Sequence, residues 1–457
     1  MKINNTLKIH NLKTKIDRFF EYSGEKILSI EDTWLPENGT PVFTVAGTYT
    51  TRGWTEWTQG FQFGSAILQY DATGDDQFLE IGRRNTIEKM YPHVTHIGVH
   101  DHGFNNVSTY GNLRRLMREG VMPMNENEMH FYEIALKSSA AVQASRWTQI
   151  KDGSGYIASF NGPHSLFSDT IRSLRVLAVG HTLGAVLMGE GDVAINLLER
   201  LIQHSQTTAQ YNVYYGEGRD AFDIPGRVVH ESIFNTNDGN YRCPSTQQGY
   251  SPFSTWTRGL AWIITGYAEQ LEFFDTLSDD DLESFGGKAE VTSHMKKAIE
   301  ATADFFIENT AQDGIPYWDT GAPGLVELGN YLSKPSDPYN DYEPVDSSAA
   351  AIAAQGLIRY GNFLTKHQEN ESGTKYYQAG LTVANTLFDE PYLSTSDSHQ
   401  GLLLHSVYHR PNGWDYVPED RNIPCGEASM WGDYHARELA VLLLREIEGK
   451  PYLTFFS

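Results

Sequence analysis

Three short segments hold side chains that could do chemistry together. In HIGVHDHGF, His96 to Phe104, a carboxylate, Asp101, stands between His100 and His102. Imidazoles can ligate metals, but this spacing matches no zinc pattern, and neither HExxH nor CxxC occurs, so no metal and no cofactor is expected. In LFSDTIRSLRVL, Ser168 reads as a helix cap, which puts Asp169 in the first turn at the positive end of the helix dipole. Cap and dipole lower a carboxyl pKa, whereas a second carboxylate nearby raises it. Two aspartates whose pKa values are pushed apart make an acid/base pair. In STWTRGLAW, Arg258 and Trp262 are four residues apart and share one helix face. A guanidinium offers a planar fork to a carboxylate, and the indole beside it offers a flat face to a sugar ring.

Composition narrows the partners. The 457 residues carry 35 Lys+Arg against 58 Asp+Glu, a formal charge of -23. Nucleic acid is therefore excluded as a partner, since it demands a basic face. An anionic ligand would have to be recruited by a local arginine. No apolar run reaches the roughly 20 residues of a membrane-spanning helix, so no membrane partner is expected. The N-terminus, MKINNTLKIHNLKTKIDRFF, has no uninterrupted apolar stretch, which points to a cytoplasmic protein, or a periplasmic one if an export signal has been cleaved. Cys243 and Cys425 read as free thiols. Aromatics reach 12%, with 25 Tyr and 9 Trp, and those flanking Gly-rich polar loops lean towards carbohydrate.

The elements that must position these residues are helices. Apolar residues recur at steps of three and four in TIRSLRVLAVGHTLGAVLMG, RGLAWIITGYAEQLEFF, SSAAAIAAQGLIRYGNFL and WGDYHARELAVLLLREI, among others. Strand-like alternation is scarce. Two long polar loops, about Tyr211 to Ser254 and Asp313 to Asp346, are rich in Gly, Pro, Asn and Tyr. Loops of that length in a compact chain are usually functional. The expectation is one all-α domain over 1–457, a toroid of helical hairpins with long loops at one mouth, preceded by a short N-terminal extension of about 1–30.

On these residues the chain resembles the unsaturated glucuronyl hydrolases, glycoside hydrolase family 88, from about Trp54 to Leu444. Matching segments, in order, are EWTQGFQFG, HDHGF, SDTIRSLRVL, TQQGYSPFSTWTRGLAW, GIPYWD, PVDSSAAAIAAQGL, GLLLHSVY and MWGDYHARELA. The resemblance implies an (α/α)6 barrel and removal of a terminal 4,5-unsaturated glucuronic acid from a small acidic oligosaccharide left by a polysaccharide lyase. Hydration of the double bond, not direct attack at the anomeric carbon, is the implied reaction. Asp169 would protonate carbon 4, and it or a partner would activate the water that attacks carbon 5. Asp101 would be the paired, ionised carboxylate. Trp57, His230, Thr246, Gln248, Arg258 and Trp262 would bind the unsaturated ring. Ser406 and His409, with Arg410, would face the leaving sugar.

Departures from the family pattern bear on substrate identity. Ser173 and Arg175 replace an Asn and a Pro, Arg172 is added, Leu260 stands where a Gln is usual, and Gln247 replaces a His. Arg172 and Arg175 are expected on a solvated helix face; facing the cleft, they would favour a more anionic substrate. One alternative is an unsaturated rhamnogalacturonyl hydrolase, a group that tends to read RGNGW where this chain reads RGLAW. A second is a helical-toroid polysaccharide lyase, with His230 recruited alongside Tyr241 or Tyr250. A third is a non-catalytic glycan-binding protein, which would leave both aspartates idle.

Overall fold

Helix dominates the computed structural model, which describes residues 1–52 and 56–456; Trp54, where the resemblance begins, lies outside them. The helices that build the molecule are α1 (Lys13–Thr33), α2 (Gln59–Thr73), α3 (Asp76–Lys89), α4 (His102–Asn106), α5 (Asn112–Arg118), α6 (Glu126–Ser145), α7 (Thr170–Ser173), α8 (Arg175–Thr182), α9 (Leu197–Tyr211), α10 (Thr257–Thr276), α11 (Lys288–Glu308), α12 (Ser347–Lys366), α13 (Asn370–Leu387) and α14 (Met430–Glu448). A π turn over Val107–Gly111 joins α4 to α5. Consecutive helices pack as hairpins, α2 on α3, α10 on α11 and α12 on α13, while α10 also packs on α12, α12 on α14, and α14 on α2.

Two kinds of helix follow from their sequences. Those such as α10 and α12 are apolar or small-chained almost all round and are buried on nearly every face. Those such as α3 and α13 carry one apolar stripe and leave their charged side to solvent. Close approach needs glycine at two places. A Cβ on Gly356 of α12 would lie 2.7 Å from the Thr265 backbone nitrogen of α10. On Gly103, in HDHGF, it would lie 2.0 Å from the Ser173 carbonyl oxygen. The second contact presses the segment of Asp101 against the helix that follows Asp169.

Several expectations are corrected. The supposed N-terminal extension contains α1, whose Ile16, Phe19 and Phe20 are buried and which packs on α2 and α14. The helix read through TIRSLRVLAVGHTLGAVLMG stops at Thr182, because the chain turns at Gly184 (φ 72°) and Leu187–Met188 then pairs with Ala194–Ile195. The first long loop supplies β2 (Glu231–Phe234) and β3 (Tyr241–Ser245), which pair with the earlier strand β1 (Ser165–Phe167) in a small antiparallel sheet of order β1-β2-β3. No helix among the described residues is long and apolar enough to cross a membrane.

Arg172 and Arg175 are neither on a solvated face nor in the cleft. Both are buried, and Arg172 meets Glu269 of α10 at 2.7 Å and Glu438 of α14 at 2.8 Å. Arg175 reaches Glu438 at 3.2 Å and donates to the Gly103 carbonyl at 2.7 Å. Removing one partner from a buried ion cluster strands the others. Glu438→Gln should therefore lower unfolding free energy in urea by about 3–5 kcal/mol. Lys297→Ala, which breaks the exposed Lys297–Glu217 pair, should change it by less than about 0.5 kcal/mol.

Candidate active site

One cavity collects most of the residues singled out by the sequence. Trp57, Asp101, Asp169, Gln248, Arg258, Trp262 and His409 line it, together with His100. Asp101 precedes α4 and Asp169 precedes α7, so both carboxylates stand at helix beginnings. Asp169 is itself the N-terminal flanking residue of α7, one position later than expected, and its side chain caps nothing. The Ser168 amide donates to the His230 carbonyl at 2.8 Å, which ties the approach to α7 into the sheet. That leaves the Asp169 carboxylate to face the cavity.

His100 stands between the two acids. Its Nε2 lies 3.3 Å from Asp169 Oδ1 and 4.0 Å from Asp101 Oδ1. Burial raises the Asp101 carboxyl above its ordinary value, with His100 opposing and Asp169 reinforcing. Burial acts in the same sense on Asp169, but the hydrogen bond from His100, aided by the nearby His100 and His230 rings, outweighs it and holds that carboxyl below its ordinary value. The two aspartates are therefore pushed apart, in the sense opposite to that implied by the resemblance for a resting acid at Asp169. His102 turns away, bonding Ser139 at 2.8 Å and the His96 carbonyl at 3.0 Å, and burial pushes its pKa down to about 3.

Arg258 is bound on every terminal nitrogen. Nη1 donates to Asp346 at 3.0 Å and to the Val407 carbonyl; Nη2 donates to Gln248 Oε1 at 2.9 Å and to the Tyr408 carbonyl at 2.9 Å. Its plane lies over Trp256 and Trp431, 4.6 and 4.9 Å from the ring centroids. The guanidinium thus bolts α10 to the Val407–Tyr408 segment and aims Gln248, while lending its charge to the cavity.

Four expected residues do not line the cavity, and one of them, Arg410, begins the short 3-10 turn Arg410–Asn412. His230 lies behind the cavity, its Nδ1 accepting from the Gln247 and Gln248 amides at 2.9 and 3.3 Å, so it shapes the wall through the backbone. Thr246 accepts from the Gly249 amide at 2.8 Å, closing a turn. Ser406 is buried and accepts from Ser429 at 3.0 Å. The wall also contains residues the sequence reading passed over, Phe104, Phe160, Trp256, Tyr408, Asn412 and Trp414. Asn412 and Trp414 follow closely on His409 and Arg410, which the resemblance sets against the leaving sugar. Phe160 had no motif around it. Trp57 stacks on Trp431 at 5.1 Å and 27°, and Trp262 packs on Phe104 at 4.8 Å, so the floor is a continuous aromatic surface.

No family model matches the chain. Curated relatives do. It is 24% identical over 385 residues to an unsaturated glucuronyl hydrolase of Formosa agariphila, covering 84% of this chain and 78% of that protein. It is 22% identical over 450 residues to an unsaturated chondroitin disaccharide hydrolase of Streptococcus agalactiae, covering 95% and 93%. A solved unsaturated glucuronyl hydrolase of Streptococcus agalactiae has a TM-score of 0.68 at 21% identity, over 94% of this chain and 91% of that one. Another, specific for heparin, has a TM-score of 0.70 at 19% identity, over 95% and 98%. The chain shares the fold of these enzymes, and the resemblance read from its motifs stands: its sequence is similar to those of unsaturated glucuronyl hydrolases over most of its length.

Arg258→Ala removes the partner of Asp346, which is fully buried. The expected cost is about 3–5 kcal/mol in urea unfolding, alongside losses in both kcat and KM. A stability change under about 1 kcal/mol would show that the guanidinium is not the bolt described here.

Proposed function

We propose that this protein removes the terminal 4,5-unsaturated uronic acid from lyase-generated acidic oligosaccharides, by hydrating the double bond. The observation that carries the reading is the pair Asp101 and Asp169, with His100 between them, in a cavity floored by Trp57, Phe104 and Trp262, with the charge of Arg258 alongside. Aromatic faces suit the ring, the arginine's charge favours the uronate, and the aspartates supply proton transfer. The fold reading goes with it. Helices α2, α4–α5, α7–α8, α10, α12 and α14 form an inner ring that closes where α14 meets α2, with α1, α3, α6, α9, α11 and α13 outside, an (α/α)6 barrel in one domain.

In this mechanism Asp169 gives a proton to carbon 4, and its carboxylate then takes one from the water that attacks carbon 5. Asp101 faces the positive charge that develops on the ring. Neighbouring groups favour a proton on Asp101 over Asp169 at rest. A uronate adds a further negative charge to the same low-dielectric space, and like charge raises both carboxyls. Substrate entry thereby moves Asp169 towards protonation without changing its order relative to Asp101, and the proton must reach Asp169 for the step at carbon 4. The lyase alternative has no support from its tyrosines: Tyr241 stacks on Tyr211 in a separate small cluster, and Tyr250 is half exposed.

Unsaturated glycosaminoglycan disaccharides are the first substrates to try, because relatives are named for chondroitin disaccharides and a structural neighbour for heparin. Turnover is read as loss of the double bond's near-ultraviolet absorbance. Asp169→Asn and Asp101→Asn should each lower kcat by about 100- to 10,000-fold while still binding the disaccharide. A variant keeping more than a tenth of wild-type kcat would remove that aspartate from the chemistry. Saturated glucuronides should be inert.

A further inference from the structure

We infer that His100 is the positioning residue of the acid/base pair: its Nε2–H holds Oδ1 of Asp169 and leaves the second carboxylate oxygen to exchange protons in the cavity. This inference rests on the proposed function. It starts from the other ring nitrogen. The Phe160 backbone N–H donates to His100 Nδ1 at 3.2 Å. An amide N–H can only donate, so Nδ1 presents a lone pair, and the proton of the neutral ring sits on Nε2. Nε2 is the atom 3.3 Å from Asp169, whereas Asp101 at 4.0 Å is beyond hydrogen-bond range.

The ring has little freedom to do otherwise. His100 is 2% exposed, stacked on Phe160 at 6.1 Å and 12° and met edge-on by Phe167 at 5.7 Å. Its carbonyl accepts from Ser173 Oγ at 2.5 Å, and the same Oγ accepts from the Gly103 amide at 3.0 Å. One serine of the helix after Asp169 therefore holds both sides of Asp101.

The charged and titratable groups around His100 and Asp169 are Asp101, Arg146, His204 and His230. His204 accepts the Ile157 amide on Nδ1 at 2.9 Å, as His230 accepts those of Gln247 and Gln248, so both rings are held neutral. Arg146 is spent on the Ala158 and Ser159 carbonyls at 3.0 and 2.5 Å. The two aspartates draw His100 towards protonation. An imidazolium, however, would have to give up the Phe160 amide bond, and the geometry favours the neutral ring.

The test compares His100→Leu, which removes the donor, with His100→Gln, whose amide nitrogen can stand near the Nε2 position. Activity is measured on whichever unsaturated disaccharide the wild type turns over, with Tm recorded for both variants. His100→Leu should lower kcat about 10- to 100-fold with KM changed less than about threefold. The pH limb set by Asp169 should move upward, since the carboxylate loses a hydrogen bond that holds its pKa down. His100→Gln should recover most of kcat and return the limb. Loss of activity in both variants with an unmoved limb and a lowered Tm would reduce His100 to packing and overturn the inference. Nitrogen-15 NMR of the wild-type imidazole separates this from the wider reading. If no unsaturated disaccharide is turned over, the proposed function fails, while a spectrum with the proton on Nδ1 overturns the assignment of His100 itself.

Discussion

Arg172 and Arg175 with Glu269 and Glu438 form a four-charge cluster with no more than 3% exposure at any member. Ions taken out of water are costly, and only close mutual pairing offsets that cost. The consequence is geometric. Arg172 and Arg175 follow Asp169 by three and six residues, Glu269 belongs to α10 with Arg258 and Trp262, and Glu438 belongs to α14. Arg175 also holds the Gly103 carbonyl and Ser108, behind Asp101. Both aspartates and the aromatic wall are thus located from behind by one set of charges. A second cluster does the same across the ring: Asp71 of α2 meets Arg115 of α5 at 2.7 Å and Arg445 of α14 at 2.8 Å.

Held in this way, the site separates recognition from chemistry. Arg258 contributes charge, but its terminal N–H groups are committed to Asp346, Gln248 and two carbonyls. Direct contact with a uronate carboxylate thus falls to groups it orients, Gln248 foremost. The histidines show the same economy. His204 and His230 accept backbone amides and are driven down in pKa by burial, to about 3 and about 4, so they shape walls without adding charge. Of the three rings, His100 is the one that stands between Asp101 and Asp169.

The sequence was informative where function leaves a local mark. HDHGF and SDTIRSLRVL located the two carboxylates, the four-residue step from Arg258 to Trp262 placed both on one cavity wall, and three-and-four periodicity found α10, α12 and α14 almost to the residue. It was misleading where the cause lies far along the chain. Two arginines on a helix look solvated until Glu269 and Glu438, the latter 266 residues beyond Arg172, are brought to them. Ser406 and Thr246 are expected at the sugar from the resemblance alone; Ser406 accepts from Ser429 and Thr246 from the Gly249 amide. The expected N-terminal extension of about 1–30 includes most of Lys13–Thr33, whose Ile16, Phe19 and Phe20 are buried.

The central claim concerns the bond that reacts, and isotopic water reads it directly. A conventional glycosidase attacks the anomeric carbon with two carboxylates about 5 to 9.5 Å apart. Hydration of an unsaturated uronate instead places a proton on carbon 4 and a hydroxyl on carbon 5, and the glycosidic bond breaks afterwards by rearrangement. With an unsaturated disaccharide in heavy water, the released uronate should carry deuterium at carbon 4; in oxygen-18 water the label should enter at carbon 5. Oxygen-18 found only at the anomeric carbon, with no deuterium at carbon 4, would contradict the account.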